Sequence, residues 1–224
     1  MVRSFRYRLS PTRAQARTLD RWLYLTRELY NAALSERRDA WAKQRVRVTL
    51  FDQMRALPGG REVRPEFNEV PIAVLRGTLR RLDRAFAGFF RRCKSGATPG
   101  FPRFRGRGRF ESVLIDDLGK RPPIVAGGKR VAVAMLGKVK FKQHRPLEGV
   151  AKAVRLKREA GRWSVIFACA DVPMRPLPPS VEEVGIDLGL THFIATSDGD
   201  TVDVPLSERA PRLVLERAHR RVSR

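Results

Sequence analysis

The hydrophobic period changes near Glu111, and this change most constrains what the chain can fold into. Before it, apolar residues recur at intervals of three and four, which predicts amphipathic helices. After it, apolar and polar residues alternate, which predicts β-strands. The sequence therefore predicts an α+β multidomain fold in which helices and antiparallel strands occupy separate stretches.

A short basic strand precedes the helices. Apolar residues alternate with arginines over residues 2–9, as in a strand with one buried face. The first helix is expected to begin with Ser10 as N-cap, or at a capping box formed by Thr12 and Gln15. The helical spacing of apolar residues predicts that this helix extends to about Trp41.

Two further helices are predicted before residue 97. The second runs from about 49 to 57 and is expected to stop at the run Pro58-Gly59-Gly60. The third begins near Asn68 and is two-faced, with an apolar stripe opposite a cationic ridge. The ridge, which suits a nucleic-acid backbone better than a merely solvated face, consists of Arg76, Arg80, Arg81, Arg84, Arg91, Arg92 and Lys94.

Residues 98–110 contain proline and glycine at positions that deny them a regular helix. Aromatic residues alternate with arginines here, a composition that stacks on bases and neutralises phosphates. A flexible basic linker is the alternative interpretation. The candidate nucleic-acid contacts are Arg103, Phe104, Arg105, Arg107 and Arg109.

The alternating part predicts an antiparallel sheet or a small barrel with a basic outer face. Its strands are expected at 112–116, 130–134, 138–142, 151–157 and 162–170. A hairpin turn at 158–161 joins the last two. Lys140 and Lys142 lie on the polar side of a strictly alternating strand and are further candidate contacts.

The net charge of +23 is too high for an ordinary enzyme surface and indicates a polyanionic partner, most economically nucleic acid. Cys93 and Cys169 lie in phase with apolar neighbours, so both are expected to be buried in a reducing compartment. The three histidines lack metal-ligand spacing. No apolar run is long enough for a membrane span and no signal-peptide core is present, so a cytoplasmic protein is expected.

Asp187 stands within an apolar, strand-like run after a proline-rich stretch at 173–180. A buried carboxylate needs a metal ion, a cationic partner or a strand end that reaches solvent. Two further strands are expected at 191–196 and 201–204, joined by a tight turn at 197–200, and a basic helix at 207–224. Asp198, Asp200 and Asp203 are interpreted as turn formers and surface charge.

Several short motifs, in this order and spacing, resemble the OrfB/TnpB transposase-associated family of insertion sequences. The Asp187 segment is also similar to the first motif of RuvC/RNase H-like nucleases. The motifs are Tyr7–Pro11 with Gln15 and Leu19, Arg27–Leu34, Pro102–Arg105, His144–Leu147, and Gly185–Leu190 with Ser197–Gly199.

The resemblance implies an RNA-guided DNA endonuclease related to type V CRISPR effectors, with guide RNA and target DNA as partners. Residues 1–10 would form the first strand of a wedge β-barrel and 98–180 the rest of that barrel with its linker. Residues 11–97 would form an inserted helical recognition lobe. Residues 181–224 would begin an incomplete RuvC-like nuclease domain.

Asp187 would be the catalytic first-motif residue and a Mg²⁺ ligand. The family uses three acidic residues and a four-cysteine zinc module, and only the first of those acidic residues has a counterpart here. Two-metal hydrolysis needs several carboxylates, so the chain is expected to be truncated after this motif and inactive alone. The alternatives are a binding module for RNA or DNA that does not cut, and a non-functional gene remnant.

Overall fold

A computed structural model describes residues 1–116, 118, 129–174, 183–189 and 192–203. The chain divides into two compact units, Met1–Met174 and Arg175–Arg224. The linker and C-terminal helix predicted at 173–180 and 207–224 lie largely or wholly outside the described residues. No helix in the described part of the chain is both long and apolar enough to cross a membrane.

The first strand and helix follow the sequence pattern. Strand β1, Arg3–Ser10, alternates exposed and buried residues, and helix α1 follows at Arg13–Gln44. Thr12 is the N-cap, in a capping box with Gln15. The prediction of Ser10 as N-cap is wrong because Ser10 still pairs with Lys140 in the sheet.

Helix α2, Leu50–Val63, runs through Pro58, Gly59 and Gly60, so the predicted stop at that run is wrong. Pro58 removes the backbone donor that would bond to the carbonyl of Met54, and the helix continues despite this loss. Tertiary contacts on the other side of the helix oppose the break, because Gln53 and Leu57 are buried. Packing here outweighs the local preference.

Helix α3, Ile72–Lys94, begins later than predicted. Pro71 disfavours a helical conformation at the residue before it, and Val70 is extended with φ −112° and ψ 132°. A short 3-10 helix at Pro65–Glu69 fills the gap. The indole Nε1–H of Trp22 donates to the carbonyl of Glu69 at 2.8 Å and ties this turn to α1.

The first unit contains a six-stranded antiparallel sheet. Its strands after β1 are β2 Ser112–Ile115, β3 Arg130–Val133, β4 Gly137–Lys142, β5 Val150–Glu159 and β6 Arg162–Ala170. They are arranged in the order β2-β5-β6-β1-β4-β3. In the described residues β2 and β3 are the two ends of the sheet, so the sheet is open. The β5–β6 hairpin turns at Ala160 and Gly161, which both have positive φ, as a type I′ turn requires.

Helices and sheet share one hydrophobic core. Tyr7, Phe141 and Phe167 from neighbouring strands pack with ring centroids 5.4–6.0 Å apart. Full burial of each such side chain contributes roughly 1.5–3 kcal/mol. Helix α3 touches the β2 backbone at Gly77, where an added Cβ would collide with the carbonyl of Leu114. The cationic helix is therefore fixed against the sheet.

Cys169 is buried as predicted, whereas Cys93 is exposed, so that part of the prediction is wrong. Cys93 continues the apolar spacing of α3 but lies in its last turn, beyond the last buried residue, Leu82. A helical stripe stays buried only as far as another element covers it.

The second unit contains a three-stranded antiparallel sheet. Its strands are β7 Ile186–Asp187, β8 Ile194–Thr196 and β9 Thr201–Val202, in the order β7-β8-β9. The turn at 197–200 joins β8 to β9 as predicted, with Gly199 at φ 89°.

Candidate nucleic-acid interface

Three of the predicted contacts on α3, Arg76, Arg91 and Lys94, have exposed side chains. None of them has an acidic partner in the described part of the chain. Asp83, the only acidic residue between Arg76 and Phe110, receives Nη1–H of Arg37 on α1 at 3.0 Å. The sole carboxylate of α3 is thus engaged by another helix, and the positive charge of these three residues is available to a ligand.

Arg80 and Arg84 are partly neutralised within the protein. Arg80 Nη1 lies 2.6 Å from Asp116 Oδ1, and Arg84 Nη2 lies 3.4 Å from Asp116 Oδ2. Asp116 follows β2, far from α3 in sequence, so the helical pattern alone does not reveal the pair. One carboxylate facing two guanidinium groups still leaves a positive charge at this point.

Arg81 is not on the free ridge, contrary to the helical projection. Its Nη1–H donates to the carbonyl of Ser112 at 3.1 Å, and its guanidinium lies 4.3 Å from the ring centroid of Phe110. Burial lowers the pKa of Arg81, and the nearby charges of Arg105 and Arg155 lower it further. Arg81 therefore joins α3 to the sheet.

Residues 98–110 have no regular structure, as predicted, but the segment is held at two points. Asn31 of α1 clamps Arg105: its Nδ2–H donates to the Arg105 carbonyl at 3.0 Å, and its Oδ1 accepts the Arg105 amide at 2.8 Å. Arg92 Nη2–H donates to the carbonyl of Gly100 at 3.1 Å. The backbone between these points is positioned on the helices.

The aromatic residues of this segment differ in what they can contact. Phe110 is buried, whereas Phe101 packs edge-on against Phe86 and Phe89 with centroids 5.6 and 5.3 Å away. Phe104 is 47% exposed, and the Arg38 guanidinium lies 5.1 Å from its ring centroid. Phe101 and Phe104 are exposed to nearly the same extent, 45% and 47%, so both rings keep surface for stacking on a base.

Arg103, Arg107 and Arg109 are exposed, and none has an acidic partner among the described residues. They follow the clamped backbone at alternate positions around Arg105. Residues 98–110 therefore expose a row of arginine side chains whose backbone is held on the helices.

A second cationic surface lies on the outer face of the sheet. Lys140 and Lys142 of β4 are exposed, whereas Val139 and Phe141, which alternate with them along the strand, are buried. Lys142 lies opposite Arg8 of β1, and Lys140 lies opposite Arg130 of β3. Like charges directly opposite each other destabilise a sheet, so an anion would stabilise this face.

Asp187 lies on β7 opposite Ala195, and its side chain is exposed, as are those of its neighbours Ile186 and Leu188. It thus reaches solvent at a strand end, one of the three possibilities that the sequence left open. Ser197 binds the backbone of Gly185 and holds β7 beside β8. Asp198, Asp200 and Asp203 are exposed, and Asp203 Oδ1 lies 2.8 Å from His192 Nδ1.

Comparison with known proteins agrees with the motif order. The helix-turn-helix domain of the OrfB/IS605 family matches residues 1–45. A Streptomyces pristinaespiralis protein named "Putative RNA-guided DNA endonuclease" is 31% identical over 227 residues, covering 99% of this chain and 54% of that protein. The chain belongs to the OrfB/TnpB family.

A second OrfB/TnpB-like relative, "Putative RNA-guided DNA endonuclease InsQ" of Escherichia coli K12, is 27% identical over 154 residues. This match covers 69% of the chain and 36% of InsQ. The chain thus spans about half the length of the first relative, and its match to InsQ spans about a third of that protein.

Two solved structures are similar at 12% identity. A Cas12f1–sgRNA–target DNA complex gives a TM-score of 0.39, covering 99% of this chain and 61% of that chain. A CRISPR–Cas12f ternary complex gives a TM-score of 0.45, covering 93% of this chain and 52% of that chain.

The described residues of this OrfB/TnpB chain do not form a complete divalent-metal site. They contain no group of three or more His, Cys, Asp or Glu side chains that could hold an ion. Asp187 alone cannot supply the several carboxylates that hold two ions about 4 Å apart. The described residues therefore do not by themselves fit the metal centre expected from the family resemblance.

Some residues that shape the cationic surface were not among the predicted contacts. Arg8 and Arg130 lie opposite the two predicted lysines, and Asn31 holds the 98–110 segment. Arg92 was predicted on the ridge of α3, but its bond to Gly100 was not. The alternation in β1 already placed Arg8 on a polar face. The other roles depend on pairings between distant stretches, which carry no local signal.

Proposed function

We propose that this chain is the nucleic-acid-binding part of an RNA-guided DNA endonuclease, and that it holds guide RNA and target DNA. The observation that carries the proposal is the unneutralised cationic surface of α3, residues 98–110 and the outer face of β4. Its cations are held by packed elements, and phosphate contacts of this kind supply most of the affinity for nucleic acid.

The domain division follows the same proposal. Residues 1–10 and 98–180 would be the wedge barrel with its linker, residues 11–97 the recognition lobe, and residues 181–224 the start of a RuvC-like nuclease domain. The protein would read a short motif beside the target, while base pairing with the guide supplies sequence choice.

We expect DNA cleavage, but not nucleic-acid binding, to require the carboxylate of Asp187. As a nuclease residue it would hold Mg²⁺ together with carboxylates that the described residues do not supply. We therefore expect Asp187→Ala to leave RNA affinity unchanged and to affect only metal-dependent cleavage. The exposed position of Asp187, within a unit separate from the α3 surface, supports this expectation.

A binding module without cleavage is the second candidate, because the cationic surface of α3, residues 98–110 and β4 needs no metal site to hold RNA or DNA. A supercoiled plasmid carrying a target matched to the guide distinguishes the two. Nicking or linearisation that needs Mg²⁺ and is lost in Asp187→Ala supports the nuclease. An intact plasmid under conditions where guide RNA is bound supports the binding module.

The binding proposal itself is tested by fluorescence anisotropy with a structured RNA at 50–200 mM salt. An interface with 6–10 phosphate contacts loses roughly 10³–10⁵ in affinity over this range. Arg76→Gln and Lys142→Gln should each weaken binding and reduce the salt slope. Glu62→Gln, which removes an exposed carboxylate from α2, is the control that should not weaken binding. A wild-type chain without salt-sensitive affinity for RNA or DNA would refute the proposal.

A further inference from the structure

A concave site lies between the C-terminal half of α3 and the clamped segment. It is an open groove with a volume of about 500 Å³. Its lining carries several positive charges and no acidic side chain. The cations are Arg84, Arg91, Arg92, Arg103 and Arg105.

Two buried polar atoms at this site have no hydrogen-bond partner among the described residues. They are the hydroxyl of Tyr30 and Nε of Arg105, and both residues line the cavity. Tyr30 is only 1% exposed, and the Arg105 guanidinium lies 5.9 Å from its ring centroid. Buried polar groups in folded proteins are almost always paired, so these two atoms point to a missing ligand with acceptor oxygens.

Gly88 lines the same cavity, and protein packing does not explain it. A Cβ there would meet only Arg92 Nη1, at an ordinary 3.6 Å, whereas a Cβ at Gly77 would collide with β2. Glycine inside a helix lowers its stability relative to alanine. Glycine at such a position is typical where a ligand approaches the backbone closely.

We propose that this pocket is a phosphate site, in which one phosphodiester of the bound strand lies against α3 at Gly88 among the five arginines. The inference deepens the proposed function and rests on it. Guanidinium groups bind phosphate through paired N–H donors, which a cluster of exposed lysines would not reproduce. The clamp on Arg105 and the Arg92–Gly100 bond hold the pocket open before the strand arrives.

The test fills the pocket without removing a charge. Gly88→Leu places a side chain where the phosphate would lie, and Gly59→Leu, at an exposed helical glycine with nothing within 4 Å, is the matched control. Anisotropy with fluorescein-labelled 12-nucleotide oligo(U) and oligo(dT) across salt concentrations gives affinity and salt slope. Gly88→Leu should weaken binding about tenfold or more and reduce the salt slope by about 0.7, the value for one phosphate of a single strand.

Gly88→Ala tests whether a side chain at position 88 by itself destabilises the protein, which would weaken binding without filling the pocket. Alanine should raise the melting temperature by about 2–4 °C, because it is the better helix former and meets no clash. A double-mutant cycle adds a second readout: Gly88→Leu and Arg103→Gln should be non-additive. Arg107, which does not line the pocket, supplies the control, since Arg107→Gln should add independently.

If Gly88→Leu loses affinity equally for oligo(U) and oligo(dT), the site binds the phosphate that both strands share. If affinity falls only for oligo(U), the site is assigned to an RNA phosphodiester. A loss that leaves the salt slope unchanged would overturn the phosphate assignment in favour of a base. Wild-type affinity and slope in Gly88→Leu would overturn the pocket while leaving the proposed function intact. If the wild-type chain binds neither oligonucleotide nor structured RNA, the proposed function fails instead.

Discussion

The two hydrogen bonds between Asn31 and Arg105 hold residues 98–110 on α1. We expect that removing them frees this segment locally, with little change in the stability of the whole protein. Asn31→Ala removes both side-chain bonds, at 3.0 and 2.8 Å, that hold the Arg105 backbone on α1. Each such bond contributes roughly 0.5–1.5 kcal/mol net, so the free energy that holds the segment on α1 falls by roughly 1–3 kcal/mol. Alanine favours the helix over asparagine by up to about 0.7 kcal/mol, so the melting temperature should fall only slightly.

The sensitive measurement is hydrogen exchange at the Arg105 amide, whose acceptor is Asn31 Oδ1. A loss of about 2 kcal/mol corresponds to roughly 30-fold faster exchange through local opening. Binding must then restore order to the segment, so affinity for RNA should weaken by a similar factor. Asn68→Ala is the control, since Asn68 makes one exposed bond of 3.4 Å and lies outside the segment.

The reasoning fails if the Arg105 amide exchanges within about twofold of the wild-type rate in Asn31→Ala. It also fails if Asn68→Ala weakens RNA binding as much as Asn31→Ala does. Faster exchange with unchanged affinity would show that the segment is clamped for folding and is not part of the interface.

Three other predictions concern stability and reactivity. Gly77→Ala should lower the free energy of unfolding by roughly 1–3 kcal/mol, measured by urea titration, because its Cβ would collide with the carbonyl of Leu114; wild-type stability would contradict this contact. A thiol reagent should label Cys93 in the native protein and Cys169 only after unfolding, as mass spectrometry would report, and rapid native labelling of both would contradict the burial. Burial raises the pKa of Cys169, so the folded state keeps the thiol proton longer than the unfolded state. The free energy of unfolding should therefore fall as pH rises above about 8.5, and Cys169→Ala should remove part of that fall.

Much of the secondary structure was predictable because its determinants are local. Alternation gives β1 and β4 one buried face each, and both strands form where the pattern indicates. Where the prediction was wrong, a distant contact outweighed a local signal. Ser10 does not cap α1 because it pairs with β4, and α2 passes Pro58 while Gln53 on the same helix is buried.

The candidate site was predictable in composition but not in geometry. An excess of cations over residues 76–110 is visible in the sequence, and it indicates a polyanionic partner. Which cations remain free depends on residues far along the chain: Asp116 engages Arg80, and Phe110 covers Arg81. Helical projection separates two faces of a helix but cannot tell which side chains a neighbouring strand will cover.

By itself, then, the sequence determined the order of helices and strands, the sign of the charge and the family, because period, composition and motif order are properties of the chain. Only the tertiary structure decided that Asn31 and Arg92 hold residues 98–110 against the helices, and that Gly88 faces the resulting pocket. It also decided that Asp187 is exposed. These features depend on which distant groups meet, and side-chain contacts across long sequence separations follow from packing of the whole core.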